Sequence, residues 1–285
     1  MIEILLQGIL LGGLYTLFAL GQSLMFGVMR LTNTAQGDFI VLGAFAVIAG
    51  IGITNSSPWL MTLAILPLAF GFGYLLQRYV LNRTLGKDPL PSLVVTFGLA
   101  IVIQNLLLEA FSADPRAIET QGFNTQGWQL GADISVGVLP VLILVIALAC
   151  TATLQWLFAH TTLGRAFRAV SDDVEIAGLM GLDARKIYAL ATAIAFVLIA
   201  LAGSLQAMRT TVSPADGPML LLFAFEAVVI GGLGSLWGTL CGAMLLGITQ
   251  QIGFHIASGW GLWTGHLMFL VVLVLRPQGL FPKTR

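Results

Sequence analysis

Charged side chains are scarce in this sequence. Only 9% of its 285 residues are Asp, Glu, Lys or Arg, whereas about a quarter are charged in a typical soluble domain. Hydrophobic residues make up 58% of the chain, and the mean hydropathy is +0.95. One globular core cannot hide so much apolar surface, so the sequence predicts a protein whose solvent is lipid. The formal net charge of zero argues against nucleic acid as a partner.

Several kinds of functional site are missing as well. The two cysteines, Cys150 and Cys241, stand in apolar runs, so they predict neither a disulfide framework nor a Cys/His metal site. The phosphate-binding pattern GxxxxGK[ST] does not occur, so we do not expect this chain to hydrolyse ATP. No His-rich, Ser–Lys or paired-Asp arrangement stands in the apolar segments, which argues against an intramembrane enzyme. We therefore predict no catalytic residue, no metal site and no cofactor bound by this chain.

Apolar runs that could cross a bilayer recur along the chain, and a crossing helix needs about 20 apolar residues. The clear candidates are Ile4–Val28, Trp59–Leu76, Leu90–Phe111, Val136–Phe158 and Ile187–Met208. Shorter or interrupted candidates are Phe39–Ile53, Trp263–Leu275 and Leu220–Ile252, which Gly231–Gly238 divides into two helices. The prediction is an all-α, polytopic membrane protein with discontinuous helices, a single transmembrane domain over residues 1–285 and about nine crossings, within a range of roughly eight to ten.

The basic residues fall mainly on one side of the predicted membrane. If the C-terminus lies in the cytoplasm, 11 of the 13 Lys and Arg residues are cytoplasmic. They are Arg30, Arg78, Arg83, Lys87, Arg165, Arg168, Arg185, Lys186, Arg276, Lys283 and Arg285. Only Arg116 and Arg209 fall outside, and the outer loop Ser112–Ser135 carries acids instead, including Asp133. This bias follows the positive-inside rule, so we predict an external N-terminus and a cytoplasmic C-terminus.

One charged segment, His160–Tyr188, interrupts the apolar pattern. Residues 160–186 form a predicted cytoplasmic loop of roughly 28 residues, by far the longest on that face. Arg165, Arg168 and Asp172 recur at spacings of three and four, which permits ion pairs on one helix face.

A short helix is predicted inside this segment. Ser171 is expected to cap a helix that starts at Asp172, and Gly181 is expected to end it. The helix would carry an apolar stripe of Val174, Ala177, Leu179 and Met180. Two interpretations are open. A solvated loop that only sets topology would need just a few basic residues, whereas a patterned helix flanked by charge suits docking into a groove of another protein.

Two polar breaks, Arg30–Phe39 and Gly231–Gly238, interrupt the predicted helices. Irregular backbone at membrane depth survives only where protein or water satisfies it, and transporters place their pathways at such breaks. Acids at that depth are costly and are functional candidates by default. The candidate pathway residues are Asn33, Gln36, Asp38, Asn105, Glu226, Gly231, Gly232 and Gly234.

Ordinary structural roles are the alternative for five of these residues. Asp38 could lie in a cytoplasmic turn with Arg30 as its partner, and Glu226 could start an interfacial helix. Asn33, Gln36 and Asn105 could each join two helices by a hydrogen bond. Asp38 is followed by FIVLGA and Glu226 by AVVIGG, which suggests that the chain consists of two related halves.

The segment EIAGLMG, Glu175–Gly181, resembles the EAA-type motif of ABC importer permeases. Glu175, Ala177 and Gly181 match that motif, and Ile176 stands where the family usually has Ala. Longer blocks resemble the branched-chain amino acid permeases of the LivH/LivM type. They are ALGQSLMFGVMRLTNTAQGDFIVLGAF, GRAFRAVSDDVEIAGLMGLD, FEAVVIGGLGSLWGTLCGAMLLG and VLVLRPQGLF. The resemblance therefore covers nearly the whole chain.

The resemblance implies the permease subunit of an ATP-driven importer in a bacterial or archaeal inner (plasma) membrane. In that superfamily the charged loop forms a coupling helix in a cleft of a cytosolic ATPase. The implied coupling residues are Arg165, Arg168, Asp172, Glu175, Ala177 and Gly181. The implied partners are a second permease subunit, alike or different, two ATPases that bind ATP and Mg, an extracytoplasmic binding protein and membrane lipid.

The resemblance leaves the solute open among branched-chain or other amino acids, urea, amides and aromatic acids. An ion-coupled secondary transporter or a channel is the alternative. Either would account for the broken helices and the intramembrane acids, but would leave the charged segment at residues 160–186 unexplained.

Overall fold

A computed structural model gives the fold and describes residues 1–86, 90–120, 122–123, 126–129 and 135–281. Lys87, Asp133, Lys283 and Arg285, which entered the charge argument, lie outside these residues. The described part contains eleven α-helices: α1 Ile2–Met29, α2 Gln36–Thr54, α3 Pro58–Tyr79, α4 Leu90–Phe111, α5 Val138–His160, α6 Thr162–Asp172, α7 Val174–Leu179, α8 Ala184–Arg209, α9 Gly217–Gly231, α10 Leu236–Ile256 and α11 Trp260–Leu275. A short hairpin pairs β1 Gly127–Gln129 with β2 Ser135–Gly137.

The all-α, polytopic fold is confirmed, and all nine predicted apolar segments are helical. By length and composition, six helices are candidate spans, namely α1 to α5 and α8. Helices α9 and α10 meet at a bend of 117° and together add at most one more. At about 1.5 Å per residue, α9 and α11 are each roughly 24 Å long or less, too short for about 30 Å of hydrocarbon. By length and composition, six to seven candidate spans, rather than about nine, therefore fit the described residues.

The described residues among those predicted to be cytoplasmic gather at one end of the bundle, called here the basic face. Near the end of α1, the Gly27 carbonyl accepts a hydrogen bond from Ser171 Oγ at 2.8 Å. Close to the end of α3, Asn82 Nδ2 donates to the Arg185 carbonyl at 3.1 Å. These contacts join loops that were assigned to one side by charge alone.

The opposite end, called the hairpin face, holds the loops predicted to lie outside. Gln7 Nε2, near the start of α1, donates to the Ser135 carbonyl of β2 at 3.0 Å. An isolated bridge pairs Arg116 with Val212 and ties the loop after α4 to the loop after α8. The two predicted outer loops are therefore adjacent.

The helices pack as two inverted halves. Helix α1 packs on α10 and α9, and α8 packs in the same way on α3 and α2. Helix α1 runs from the hairpin face to the basic face, whereas α8 runs back. Reciprocal contacts between antiparallel equivalents are what an inverted repeat produces. The related halves suggested by the sequence are therefore present in the packing.

The sequence match that suggested these halves is wrong in detail. Asp38 is the third residue of α2, whereas Glu226 is the tenth residue of α9, so the two acids are not equivalent. Gly37 and Gly217 instead stand at the starts of α2 and α9, where they touch each other. Their local sequences, AQG and ADG, share Ala and Gly.

Helix α2 begins beside the middle of α1 rather than at a membrane surface. Gln36 Nε2 donates to the Phe18 carbonyl at 2.7 Å, and Phe18 lies well inside α1. Because Gly37 touches Gly217, α9 begins at the same depth. The two helices leave this point in opposite directions. Phe45 of α2 packs against Phe111, where α4 ends, whereas the Ile230 carbonyl of α9 accepts a hydrogen bond from the Leu280 N–H of the C-terminal tail.

Candidate translocation cavity and docking segment

The charged segment folds against the basic face through α6. Thr161 caps α6 by accepting a hydrogen bond from the Gly164 N–H at 3.0 Å. Phe167 and Val170 are buried, so one side of α6 belongs to the core. Arg168 donates to the Phe158 carbonyl at the end of α5. These contacts hold the base of the segment in place.

Helix α7 projects an apolar surface from this base. Asp173 caps it by accepting hydrogen bonds from the N–H groups of Glu175 and Ile176 at 2.9 and 3.0 Å. Ala177 is buried, whereas Ile176, Leu179 and Met180 are 60%, 88% and 80% exposed. Three large apolar side chains in water are unfavourable unless a partner covers them. The segment formed by residues 160–186 is called the docking segment below.

The structure corrects two local predictions for the docking segment. The helix begins at Val174 with Asp173 as its cap, not at Asp172 with Ser171, because Asp173 supplies the capping carboxylate and Ser171 bonds Gly27 instead. Arg165, Arg168 and Asp172 all lie in the described part, and no ion pair joins them. The predicted stop at Gly181 is confirmed, since its φ of 84° is a left-handed conformation that favours glycine.

The return into the apolar region is capped by Asp183. Its carboxylate accepts hydrogen bonds from the N–H groups of Arg185 and Lys186 at 3.1 and 3.3 Å, and Lys186 Nζ lies 3.5 Å away. Slight burial acts to raise the pKa of Asp183, but these hydrogen bonds and the Lys186 charge bring that pKa below its usual value. Asp183 therefore remains an ionised cap at the start of α8.

A cavity of about 410 Å³, called the central cavity, lies beside the crossing of α2 and α9. Its size falls within the range of small-molecule sites, which is about 300–1,000 Å³. It is lined by Gln22, Thr32, Asn33, Thr34, Leu93, Pro218, Leu221, Leu222 and Phe225. The wall is mainly apolar, and the exposed Pro218 and Leu222 border its open side.

A second cavity, of about 480 Å³ and called the vestibule, lies between the central cavity and the docking segment. It is lined by Val28, Met29, Arg30, Leu31, Thr32, Leu85, Gly86, Ser92, Leu93, Val170, Ser171, Asp172, Val174 and Tyr188. Thr32 and Leu93 line both cavities, so they form the wall between them. A small movement of this wall would join the two spaces into a path from mid-bundle to the basic face.

Asn33, Gln36 and Asp38 lie close to the central cavity. Asn33 lines it, and its Oδ1 accepts a hydrogen bond from the Ala35 N–H at 3.1 Å. Asp38 is 3% exposed in the first turn of α2 and lies against Gly217 at the start of α9. Asp38 and Arg30 are both described, and no ion pair joins them. Asp38 is thus buried where two positive helix ends meet, not in a solvated turn.

The other predicted pathway residues lie elsewhere. Asn105 is exposed on α4, where its Nδ2 bonds the Ile101 carbonyl of its own helix at 2.8 Å. Gly231, Gly232 and Gly234 form the break between α9 and α10, and a contact of Gly234 with Gly27 places this break near the basic face. Gly232 and Gly234 have φ values of 109° and 80°. A pathway role for these four residues stays a prediction.

Glu226 belongs to a separate buried polar group. Its side chain is 2% exposed and meets His266 of α11 at 2.6 Å, Oε1 to Nδ1. Tyr15 donates to Gln250 Oε1 at 2.6 Å in the same region, and Phe223 stacks on Tyr15 and His266. Glu226 therefore joins α9 to α11 and does not start an interfacial helix. His266 was not connected with Glu226 from the sequence.

The comparisons with known proteins agree with this architecture. A model of the family described as "branched-chain amino acid transport system / permease component" matches residues 4–276. The chain belongs to this permease family. Similar proteins include the permease protein BraD of a high-affinity branched-chain amino acid transport system from Pseudomonas aeruginosa, at 27% identity over 98% of this chain and 95% of BraD. LivH from Salmonella typhimurium, a permease protein of the same kind of system, is 25% identical over 97% of this chain and 94% of LivH.

An archaeal relative, from Methanocaldococcus jannaschii, is described as a probable branched-chain amino acid transport permease protein LivH. It is 26% identical over 96% of this chain and 87% of its own length. No solved structure matches this permease. Membership of the family establishes a multi-pass membrane permease component, which acts as a passage and not as an enzyme.

Sequence reasoning missed three polar residues of the permease's central cavity, Gln22, Thr32 and Thr34. Gln22 is 2% exposed, and no described residue makes a hydrogen bond to its Oε1. The signal was present, since Gln22 is a lone amide inside the apolar run ALGQSLMFG. Gln22 lies inside a continuous helix, so no helix break marks it as a pathway residue.

The Glu226–His266 contact gives a stability prediction for the permease. Glu226→Leu removes the hydrogen-bond partner of His266 and leaves its imidazole unpaired in a partly buried position. The substitution should therefore lower the free energy of unfolding by about 3 kcal/mol. Adding His266→Leu should recover part of this loss, because the unpaired imidazole is then removed as well. Thermal unfolding in detergent of the wild type, both single variants and the double variant measures the coupling. If the two single losses simply add, the side chains do not act as a pair.

Proposed function

We propose that this chain is the membrane subunit of an ATP-driven importer for apolar amino acids. The observation that carries the proposal is helix α7, a capped helix on the basic face with three exposed apolar side chains. A subunit without its own nucleotide-binding motif needs such a surface to bind an ATPase and to follow its conformational changes. The relatives BraD and LivH, which are named for branched-chain amino acid transport, support the solute class.

The vestibule supports coupling between the docking segment and the solute path. Val170, Ser171, Asp172 and Val174 of the docking segment line the vestibule directly. The wall of Thr32 and Leu93 lies on the far side of the same space. Displacement of α6 and α7 by a partner would therefore change the shape of the vestibule directly, because these helices form part of its wall.

The proposed assembly contains two permease subunits, two cytosolic ATPases that hold ATP and Mg, and an extracytoplasmic binding protein, in a bacterial or archaeal inner membrane. The open side of the central cavity, beside Pro218 and Leu222, would face the second permease subunit, because a polar solute must be kept away from lipid tails. The loops at the hairpin face would meet the binding protein.

Orientation provides a direct test. We expect Gln126→Cys, at the hairpin face, to react with a membrane-impermeant maleimide added outside right-side-out vesicles. Lys186→Cys, at the basic face, should react only after permeabilisation. Both changes are made in a variant that lacks Cys150 and Cys241, and that parent is the unlabelled control. External labelling of Lys186→Cys would invert the proposed topology and remove the basis for ATPase docking.

Energy coupling is tested by uptake into proteoliposomes. The complete complex with the loaded binding protein should accumulate leucine only when ATP is present on the ATPase side. Complexes without the ATPases should show no accumulation. Uptake that persists without ATPase subunits and follows an ion gradient would instead support an ion-coupled transporter.

A further inference from the structure

We propose that the central cavity is a solute site that holds a zwitterionic apolar amino acid by its charged end, with Asn33 and Gln22 as the recognising side chains. This inference rests on the proposed function and specifies where, and by which atoms, the permease itself recognises the solute.

The first observation is a pair of unused hydrogen-bonding atoms at the central cavity. Asn33 is fully buried, and its Oδ1 is occupied by the Ala35 N–H, so Nδ2 is the free donor. Asn33 Nδ2 and Gln22 Oε1 are both buried and have no hydrogen-bond partner among the described residues. Orphaned amide groups are costly in a buried environment unless a ligand or water satisfies them. Asn33 and Gln22 both line the cavity, so an unpaired donor and an unpaired acceptor are available there for the carboxylate and the ammonium group that an amino acid carries on one carbon atom.

The second observation is the charge around the central cavity. In the part of the chain that the structure describes, no charged side chain lines this cavity, while Asp38 lies near it at the starts of α2 and α9. Because Asp38 already meets both positive helix ends, these ends are not free to attract a second anion. A solute with net negative charge, such as an aromatic acid, is therefore disfavoured. A solute with no net charge needs neither a charged partner in the cavity wall nor a free helix end.

The third observation is the apolar remainder of the wall. Leu93, Leu221, Leu222 and Phe225 line most of the space, and they offer no polar partner to a solute such as urea, which has polar atoms at every edge. An aliphatic side chain would instead be buried against them. The combination of one polar end and an apolar body indicates the amino-acid class and excludes small polar amides.

Photolabelling of the complete, transporting complex tests the location. The probe is photo-leucine, a leucine analogue with a diazirine in its side chain. We expect the label on the peptide that contains Leu221 to Phe225 or on the peptide that contains Leu93, and excess leucine should suppress it. A simple alkyl diazirine without charged groups serves as the control for labelling from lipid, and its labelling should not respond to leucine. Competed labelling only at other peptides would overturn the proposed site.

A matched pair of variants tests the recognising atoms. Gln22→Met removes the amide but keeps the length of the side chain, and it should lower competed photolabelling and leucine uptake by about tenfold. Gln104→Met makes the same change on α4 outside the cavity and should leave both within about twofold. Asn33→Asp keeps the acceptor for the Ala35 N–H but removes the free donor, so it should lower labelling in the same way. Unchanged labelling in both cavity variants would overturn the assignment.

Two measurements separate failure of this site from failure of the proposed function. Co-purification of the ATPases and a normal elution volume show that each variant is folded and assembled. A wild-type complex that hydrolyses ATP but never accumulates leucine would overturn the proposed function itself. A wild-type complex that accumulates leucine while its cavity takes no competed label would overturn only the site.

Discussion

Leu179→Asp is expected to abolish leucine uptake by the reconstituted complex and to release the ATPases during purification. Leu179 is 88% exposed and forms the tip of α7 with Ile176 and Met180. A carboxylate forced into an apolar cleft loses its water without gaining a partner, which costs several kcal/mol. Since about 1.4 kcal/mol changes an affinity tenfold, binding should fall by roughly a hundredfold or more. Co-purification and ATP-dependent uptake measure the two effects.

The control for this prediction lies in the same docking segment. Lys186 is 65% exposed and meets Asp183 only in a surface ion pair, so Lys186→Ala should leave assembly and uptake almost unchanged. Because Leu179 packs against little of its own chain, its replacement should not alter thermal unfolding. A Leu179→Asp complex that retains its ATPases and transports leucine would show that α7 is not the docking surface.

Gly37→Ala is expected to destabilise the fold although alanine is the better helix former. A Cβ atom at Gly37 would overlap the Gly217 carbonyl oxygen, which belongs to the backbone of α9 and cannot rotate away. We expect the free energy of unfolding to fall by about 3 kcal/mol or more, because the added Cβ atom forces the starts of α2 and α9 apart. Thermal unfolding and the elution profile in detergent measure it.

Gly98→Ala is the matched control, because a Cβ atom at Gly98 of α4 meets nothing within 4 Å. Alanine should stabilise this helix by about 0.5–1 kcal/mol relative to glycine. The two substitutions are therefore expected to change the free energy of unfolding in opposite directions. If Gly37→Ala also stabilises the protein, the close crossing of α2 and α9 is wrong. The position of the central cavity, which depends on that crossing, would then be wrong as well.

The membrane fold could be predicted from the sequence because lipid imposes a strong rule. Every backbone polar group must be satisfied within the chain, so long apolar runs become helices. The charge bias also grouped the loops correctly, as the contacts of Gly27 with Ser171 and of Gln7 with Ser135 show. The depth at which a helix begins within the membrane was harder to predict. Residues 36–54 have the composition of a full span, yet α2 begins beside Phe18 in the middle of α1.

The candidate site was predicted only in part, for a similar reason. Asn33, Gln36 and Asp38 were found because they interrupt an apolar run, which is a local signal. The role of Gln22 depends on what faces it from α4 and α9, and no local pattern encodes that. Likewise Ser171 and Asp173 are both good capping residues, and only the competing hydrogen bond of Ser171 to Gly27 decides which one starts α7.

Helix α1 connects the two surfaces of the protein as a single rod. At about 1.5 Å per residue its 28 residues span roughly 42 Å. One end is held by the hydroxyl of Ser171 next to α7, and the other end is bonded through Gln7 to the strand that carries Ser135. If the basic face is cytoplasmic, as proposed, a displacement of α7 would be transmitted to the hairpin face along one unbroken helix. A movement of the hairpin would be transmitted back to the docking segment in the same way.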